Sequence, residues 1–169
     1  MFLHSLLTAT DKIIGIKTVS AHCDIPCKIY DPCSAQIAVL TMIRLVDLIE
    51  ELNAKEEKSL NDQAQLIRLT NEKEEHGAKV KDEIRIIWGD YIKQPQIEKH
   101  PNVHELVHSI MLQTSKAKQH VDRAVTVKLL ELVNEFAEIF WSTKGVPTFK
   151  AVCPYPPAET VVYPKLDPV

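Results

Sequence analysis

The residues of this chain best suited to chemistry sit in one short stretch. Ala21-His22-Cys23-Asp24-Ile25-Pro26-Cys27-Lys28-Ile29-Tyr30-Asp31-Pro32 places one imidazole and two thiols within six residues, with Pro26 between the thiols and Pro32 closing the segment. Cys23 and Cys27 stand at i and i+4. In an extended, proline-containing segment such a pair can converge on one metal, and thiolates favour soft or borderline ions. The pair alone does not make a structural zinc site, which needs two further ligands. Cys33 lies beyond Pro32 at the start of an expected helix and Cys153 lies in an irregular tail, so both are poorly placed to complete a four-sulfur set. If the bond between Ala21 and His22 is cut, a free α-amine appears beside a backbone amide and the His22 imidazole. Amine, amide nitrogen and two sulfurs form a square-planar set that suits Ni(II) or Cu(II), with the imidazole available as an axial ligand. Asp24 is placed to accept backbone N–H bonds that hold the loop. The bland alternative is a reduced, half-buried pair of cysteines in a turn.

Helices must position this stretch. A first one is expected after Pro32, capped by Asp31 or Ser34 and ending near Asn53, with Asn53–Lys58 as a turn. A second is expected from about Ser59 to Tyr91, with Leu60, Ile67, Val80, Ile84 and Ile87 among its apolar positions. Its charged middle, Asn71–Lys81, reads as a solvated face with a kink or fray at Gly77. Ile92–His100 contains Pro95 and reads as a loop. A third helix should begin around Pro101 and end near Lys118. A fourth should be capped by Asp122 and stopped by Gly145 and Pro147. Four helices joined by short loops predict an all-α, antiparallel up-down four-helix bundle over 33–145. Residues 146–169 carry Pro147, Pro154, Pro156, Pro157, Pro164 and Pro168 and read as an extended tail, either wrapped on a neighbour or without order.

Composition narrows the classes. The chain has 169 residues, 45% of them hydrophobic, which fits one domain with a sizeable core. Its net charge of −3 gives no reason to propose nucleic acid. No apolar run approaches the roughly 18 residues a membrane span needs. Four cysteines without regular spacing make no disulfide framework and fit a reducing compartment, the cytoplasm, or a metal site. Residues 1–21 form a segment whose apolar pieces are broken by Asp11, Lys12 and Lys17, a poor secretion signal, although Val19-Ser20-Ala21 looks like a small-residue cleavage site.

The segment His22–Pro32 closely resembles the nickel-binding hook of the nickel superoxide dismutase family. Trp88-Gly89-Asp90-Tyr91-Ile92-Lys93-Gln94-Pro95, then Glu98-Lys99-His100-Pro101-Asn102-Val103-His104, and Ile139-Phe140-Trp141-Ser142-Thr143-Lys144 match in the same order. The resemblance implies that residues 1–21 are a leader removed by a protease, that 22–32 is the hook, and that His22, Cys23 and Cys27 bind nickel. It implies disproportionation of superoxide to dioxygen and hydrogen peroxide, with nickel cycling between Ni(II) and Ni(III), in a homohexamer. It makes Tyr30 the gate tyrosine, Tyr91 its partner beside Asp90, Pro26 the bend of the hook with the cis peptide of the family, and Lys93 and Lys118 guides for the superoxide anion. A non-catalytic nickel- or copper-binding helical bundle is the alternative.

Departures accompany the resemblance. The family commonly has glycine where this chain has Lys28, so a positive φ there would cost strain. The positions of a glutamate and an arginine that hold the axial histidine in some members correspond to Ala38 and His76. Cys33 is an extra thiol near the hook. His100, His104 and His108 share an i, i+4, i+8 spacing that could line one helix face.

Overall fold

The computed structural model describes residues 28–166, so the expectations for the leader, Ala21, His22, Cys23, Asp24, Pro26 and Cys27 lie outside the described residues. Helix α1, Cys33–Asn53, starts directly after Pro32. Pro32, not Asp31 or Ser34, holds the N-cap position and has no side-chain cap bond; Asp31, one residue earlier, accepts the Cys33 N–H on its carboxylate at 2.8 Å. Ala35, Val39, Met42, Ile43 and Val46 form the buried stripe of α1, at the spacing that brings side chains onto one helical face. Helix α2, Leu60–Ile86, opens on a capping box: the Ser59 hydroxyl accepts the Asp62 N–H and the Asp62 carboxylate accepts the Ser59 N–H. These reciprocal bonds satisfy two amide protons that no helical carbonyl reaches.

Three expectations for α2 change. The helix passes through Gly77 without a break; a β-carbon there would lie 2.4 Å from Lys118 Cγ, so the glycine permits close approach of a neighbouring helix. Leu60 and Ile67 face solvent. The charged middle is not all solvated, because the Lys73 side chain is only 1% exposed. Its ammonium donates to the carbonyls of Ala117 at 2.8 Å, Lys118, and His120 at 3.3 Å. Those carbonyls close another helix, where a cation satisfies acceptors that no further turn can reach.

After α2 the chain winds one π-helical turn, Ile87–Tyr91, closed by the Ile92 N–H on Ile87 O at 3.1 Å. The expected loop over Ile92–His100 contains a short helix instead, α3, Gln94–Lys99, with Pro95 in its first turn, where a missing N–H is no loss. Helix α4, Val103–Gln119, starts two residues after Pro101. Helix α5, Arg123–Thr143, is capped by the Asp122 carboxylate on the Val125 N–H at 3.1 Å. Gly145 ends it at φ +72°. From there the Gly145 and Val146 N–H groups reach back to Ser142 O and Trp141 O at 3.1 and 3.0 Å, a closure that the left-handed backbone of glycine allows without strain.

The long helices close a ring: α1 packs on α2 and α5, and α4 packs on the same two. Val39, Ile43, Val80, Ile84, Ile110, Leu129, Phe136 and Phe140 fill its interior. Leu45, Ile49, Leu52 and Leu69 join α1 to α2 in a separate cluster. The proline-rich tail is an antiparallel hairpin, β1 Thr148–Val152 and β2 Thr160–Pro164, with Val161, Val162 and Cys153 buried. Three prolines, Pro154, Pro156 and Pro157, fall in the connection between the strands, where no ladder donor is lost. Side chains seal the outer edge of β2. Asn134 of α5 donates to Thr160 O at 2.9 Å and accepts the Val162 N–H at 3.1 Å, while Gln36 of α1 donates to Val162 O at 2.9 Å.

Candidate metal centre

The end of the bundle at which the described chain begins brings together Tyr30 and Tyr91, two of the residues the sequence singled out. Lys28 has φ +60°, the left-handed backbone that glycine takes without strain. Two residues on, the Tyr30 ring lies 5.8 Å from that of Tyr91, tilted by 43°. Tyr91 closes the π turn and also packs against Phe140, centroid to centroid 5.1 Å. Its hydroxyl is 2.6 Å from Thr143 Oγ1, and Thr143 donates its own proton to Phe140 O at 2.6 Å. Tyr91 is therefore the donor in the pair, and its oxygen keeps its acceptor capacity. Over the face of the Tyr91 ring, 4.2 Å from its centre, sits the Lys144 ammonium. Among the described residues no carboxylate lies within ion-pair distance of Lys144. Thr143 and Lys144 were missed as site residues, although both belong to the Ile139–Lys144 segment that carries part of the resemblance. Nothing local in that segment distinguishes them from an ordinary helix end.

The remaining site residues are distributed unevenly. Lys93 donates to Gly89 O at 2.7 Å, closing over the π turn that also carries the exposed Asp90. Lys118 is elsewhere: its stem lies on Gly77 and its ammonium is 3.4 Å from Glu74, about 20 Å from Tyr91 along α2 at 1.5 Å per residue. Ala38 and His76 line one groove of about 300 Å³ together with Ser34, Lys79 and Glu83. His76 Nδ1 lies 2.9 Å from Glu72 O. His100 Nε2 is 2.8 Å from the Ser142 hydroxyl, and His104 Nδ1 accepts the Trp88 indole N–H at 2.9 Å. Two of the three spaced histidines are thus structural ties: His100 joins the end of α3 to α5, and His104 joins α4 to the π turn. Burial, and after it the Asp31 carboxylate, push the Cys33 thiol above its ordinary pKa.

The nickel donors inferred from the sequence precede this end directly. Three residues of chain reach at most about 11 Å, so Cys27 can lie no farther than that from Tyr30, Cα to Cα. One imidazole, two thiols and a potential amino terminus suit a borderline metal.

Comparison with known proteins agrees. The sequence profile of nickel-containing superoxide dismutase matches residues 17–144. A nickel superoxide dismutase of Streptomyces coelicolor is 37% identical over 129 residues, covering 75% of this chain and 91% of the relative. That of Streptomyces seoulensis is 37% identical over 128 residues, covering 75% and 90%. A native nickel superoxide dismutase structure superposes with a TM-score of 0.64 at 32% identity, covering 73% of this chain and 99% of that one. The profile stops at Lys144, where the site's last residue stands and the hairpin has yet to begin, and over the span it matches the chain belongs to the nickel-containing superoxide dismutase family.

Proposed function

We propose that this chain is the precursor of a nickel-dependent superoxide dismutase, completed when a protease cuts between Ala21 and His22. One observation carries the reading: His22, Cys23 and Cys27 run without interruption into Tyr30, whose ring meets Tyr91 5.8 Å away at the end of a family bundle. The amine and imidazole of His22, the amide and thiolate of Cys23 and the thiolate of Cys27 would hold the ion, with Asp24 and Pro26 shaping the hook. Bound there, nickel supplies the one-electron chemistry that converts two superoxide anions and two protons to dioxygen and hydrogen peroxide.

The chain's own residues do the rest. Tyr30 and Tyr91 wall the approach. Thr143 fixes the Tyr91 phenol, leaving its oxygen to accept a hydrogen bond from a water or a protonated product. Lys144 and Lys93 put positive charge at the rim, which raises the local concentration of an anionic substrate. Lys118 is about 20 Å away, beyond the Debye length of about 8 Å at physiological salt, so within one chain its charge is screened. A homohexamer and a reducing, cytoplasmic location, which keeps the thiols free, complete the proposal.

Protein purified from its native cells should have the mass of residues 22–169 and one nickel per chain. Cys23→Ser and Cys27→Ser should each lose nickel and superoxide consumption with helical circular dichroism unchanged. An active protein that retains residues 1–21, or a Cys23→Ser variant with full nickel content and turnover, would falsify the assignment.

A further inference from the structure

The hairpin has one edge sealed and one open. Lys165 N–H donates to Pro147 O at 2.8 Å and Cys153 N–H to Glu159 O at 3.0 Å, with Phe149 opposite Tyr163 and Ala151 opposite Val161 between them. The alternation of an antiparallel ladder then turns the N–H and C=O groups of Lys150 and Val152 away from β2. Among the described residues these outward groups have no backbone partner, whereas the matching edge of β2 is bound by Gln36 and Asn134. Phe149 and Val152 are exposed along the same strand. An edge left in this state is a template for another strand.

The chain itself contains a segment of fitting chemistry. Ile13-Ile14-Gly15-Ile16-Lys17-Thr18-Val19 is β-branched at five of its seven positions, a composition suited to a pleated strand. The eight residues between Val19 and Lys28 span up to about 29 Å. Lys28 belongs to the end of the bundle where β1 begins, since Tyr30 meets Tyr91, Tyr91 bonds Thr143, and Thr148 follows shortly after. A segment arriving from that end has its carboxyl side at Thr148, so it runs antiparallel to β1. Beside Lys150 lies a groove of about 540 Å³ lined by Glu131, Glu135, Glu138 and Glu159; Lys128, Lys150 and Arg123 already pair with Glu131, Glu138 and Glu159, so reach and strand direction, not charge, argue for this segment. The family profile spans 17–144, so most of this segment and all of the hairpin lie beyond what the family shares.

We propose that in the uncut chain residues 13–19 add to the open edge of β1 as a third, antiparallel strand. The hairpin is then a docking platform for the leader. Cutting at Ala21 leaves the leader held by strand pairing alone, and its departure bares the edge. The inference concerns the uncut chain and does not depend on nickel or turnover.

Residue-resolved hydrogen exchange on the full chain, and on the chain beginning at His22, tests this. The Lys150 and Val152 amides should exchange at least about tenfold more slowly in the full chain at every protein concentration. A synthetic peptide of residues 10–21 should restore part of that protection to the shorter chain. Val152→Pro removes an outward N–H that an edge strand can spare, and should abolish protection at Lys150 while the helical signal is unchanged. Equal exchange in the two chains overturns the proposal. So does protection that survives removal of residues 1–21 and grows with concentration, which assigns the edge to a second copy.

Discussion

Lys28 carries a backbone cost that can be measured. At φ +60° its β-carbon crowds the following carbonyl, which costs a non-glycine residue roughly 1–2 kcal/mol. Lys28→Gly should raise stability by about 1 kcal/mol, seen as a higher urea midpoint at unchanged slope. This strain was legible in advance because the family commonly places glycine there. Lys144 was not, since its role depends on a ring from another element lying 4.2 Å beneath it. Lys144→Gln should lower the superoxide kcat/KM of the nickel-loaded chain several-fold at low ionic strength and flatten its salt dependence, and Lys144→Arg should restore both. Lys118→Gln should leave the salt dependence of a single chain nearly as it was. If Lys118 proves the stronger of the two, the rim has been drawn around the wrong cation.

Elements have their own tests. In α2, Lys73 closes the carboxyl end of α4 from inside the bundle. Lys73→Met keeps the apolar stem and strands those carbonyls, so it should cost about 1–3 kcal/mol. No sequence pattern announces such a lysine, because its acceptors are more than 40 residues away. The capping box at the other end of α2 responds to acid. The Lys55 ammonium, and then Ser59, hold the Asp62 carboxyl down to about 2. The folded value lies below the unfolded one, so the cap's contribution is complete above about pH 4 and fades as pH falls towards 2. Asp62→Asn should remove that part of the acid sensitivity, read from the amide shifts of the first turn. The π turn sets the direction of Tyr91. Deleting Gly89, whose surroundings are open, should restore α geometry, rotate Tyr91 by about 100° relative to α2, and abolish its contact with Tyr30 without unfolding the helices.

Across the whole molecule, the bundle could be read from the sequence because apolar side chains recur every three to four residues and because Asp122 and Gly145 mark ends by chemistry that acts locally. Helix α3 escaped because Pro95 looks like a breaker and proves to be a starter. The hairpin escaped because so many prolines mask the alternating stretches between them; its order comes from Gln36 and Asn134, which are remote in sequence. Ending the chain at Gly145 should therefore expose apolar surface that Val161 and Val162 now cover. At about 1.5–3 kcal/mol per fully buried side chain, the truncated protein should lose roughly 3–6 kcal/mol and melt several degrees lower.

Because β2 occupies the seam between α1 and α5, that flank of the helices is already furnished from within. A shorter relative that stops where the family profile does would offer its bare helices there to whatever lies alongside. This chain meets its surroundings across that flank with a ribbon, so a subunit contact made there runs through strand residues where the shorter relative would present helix faces.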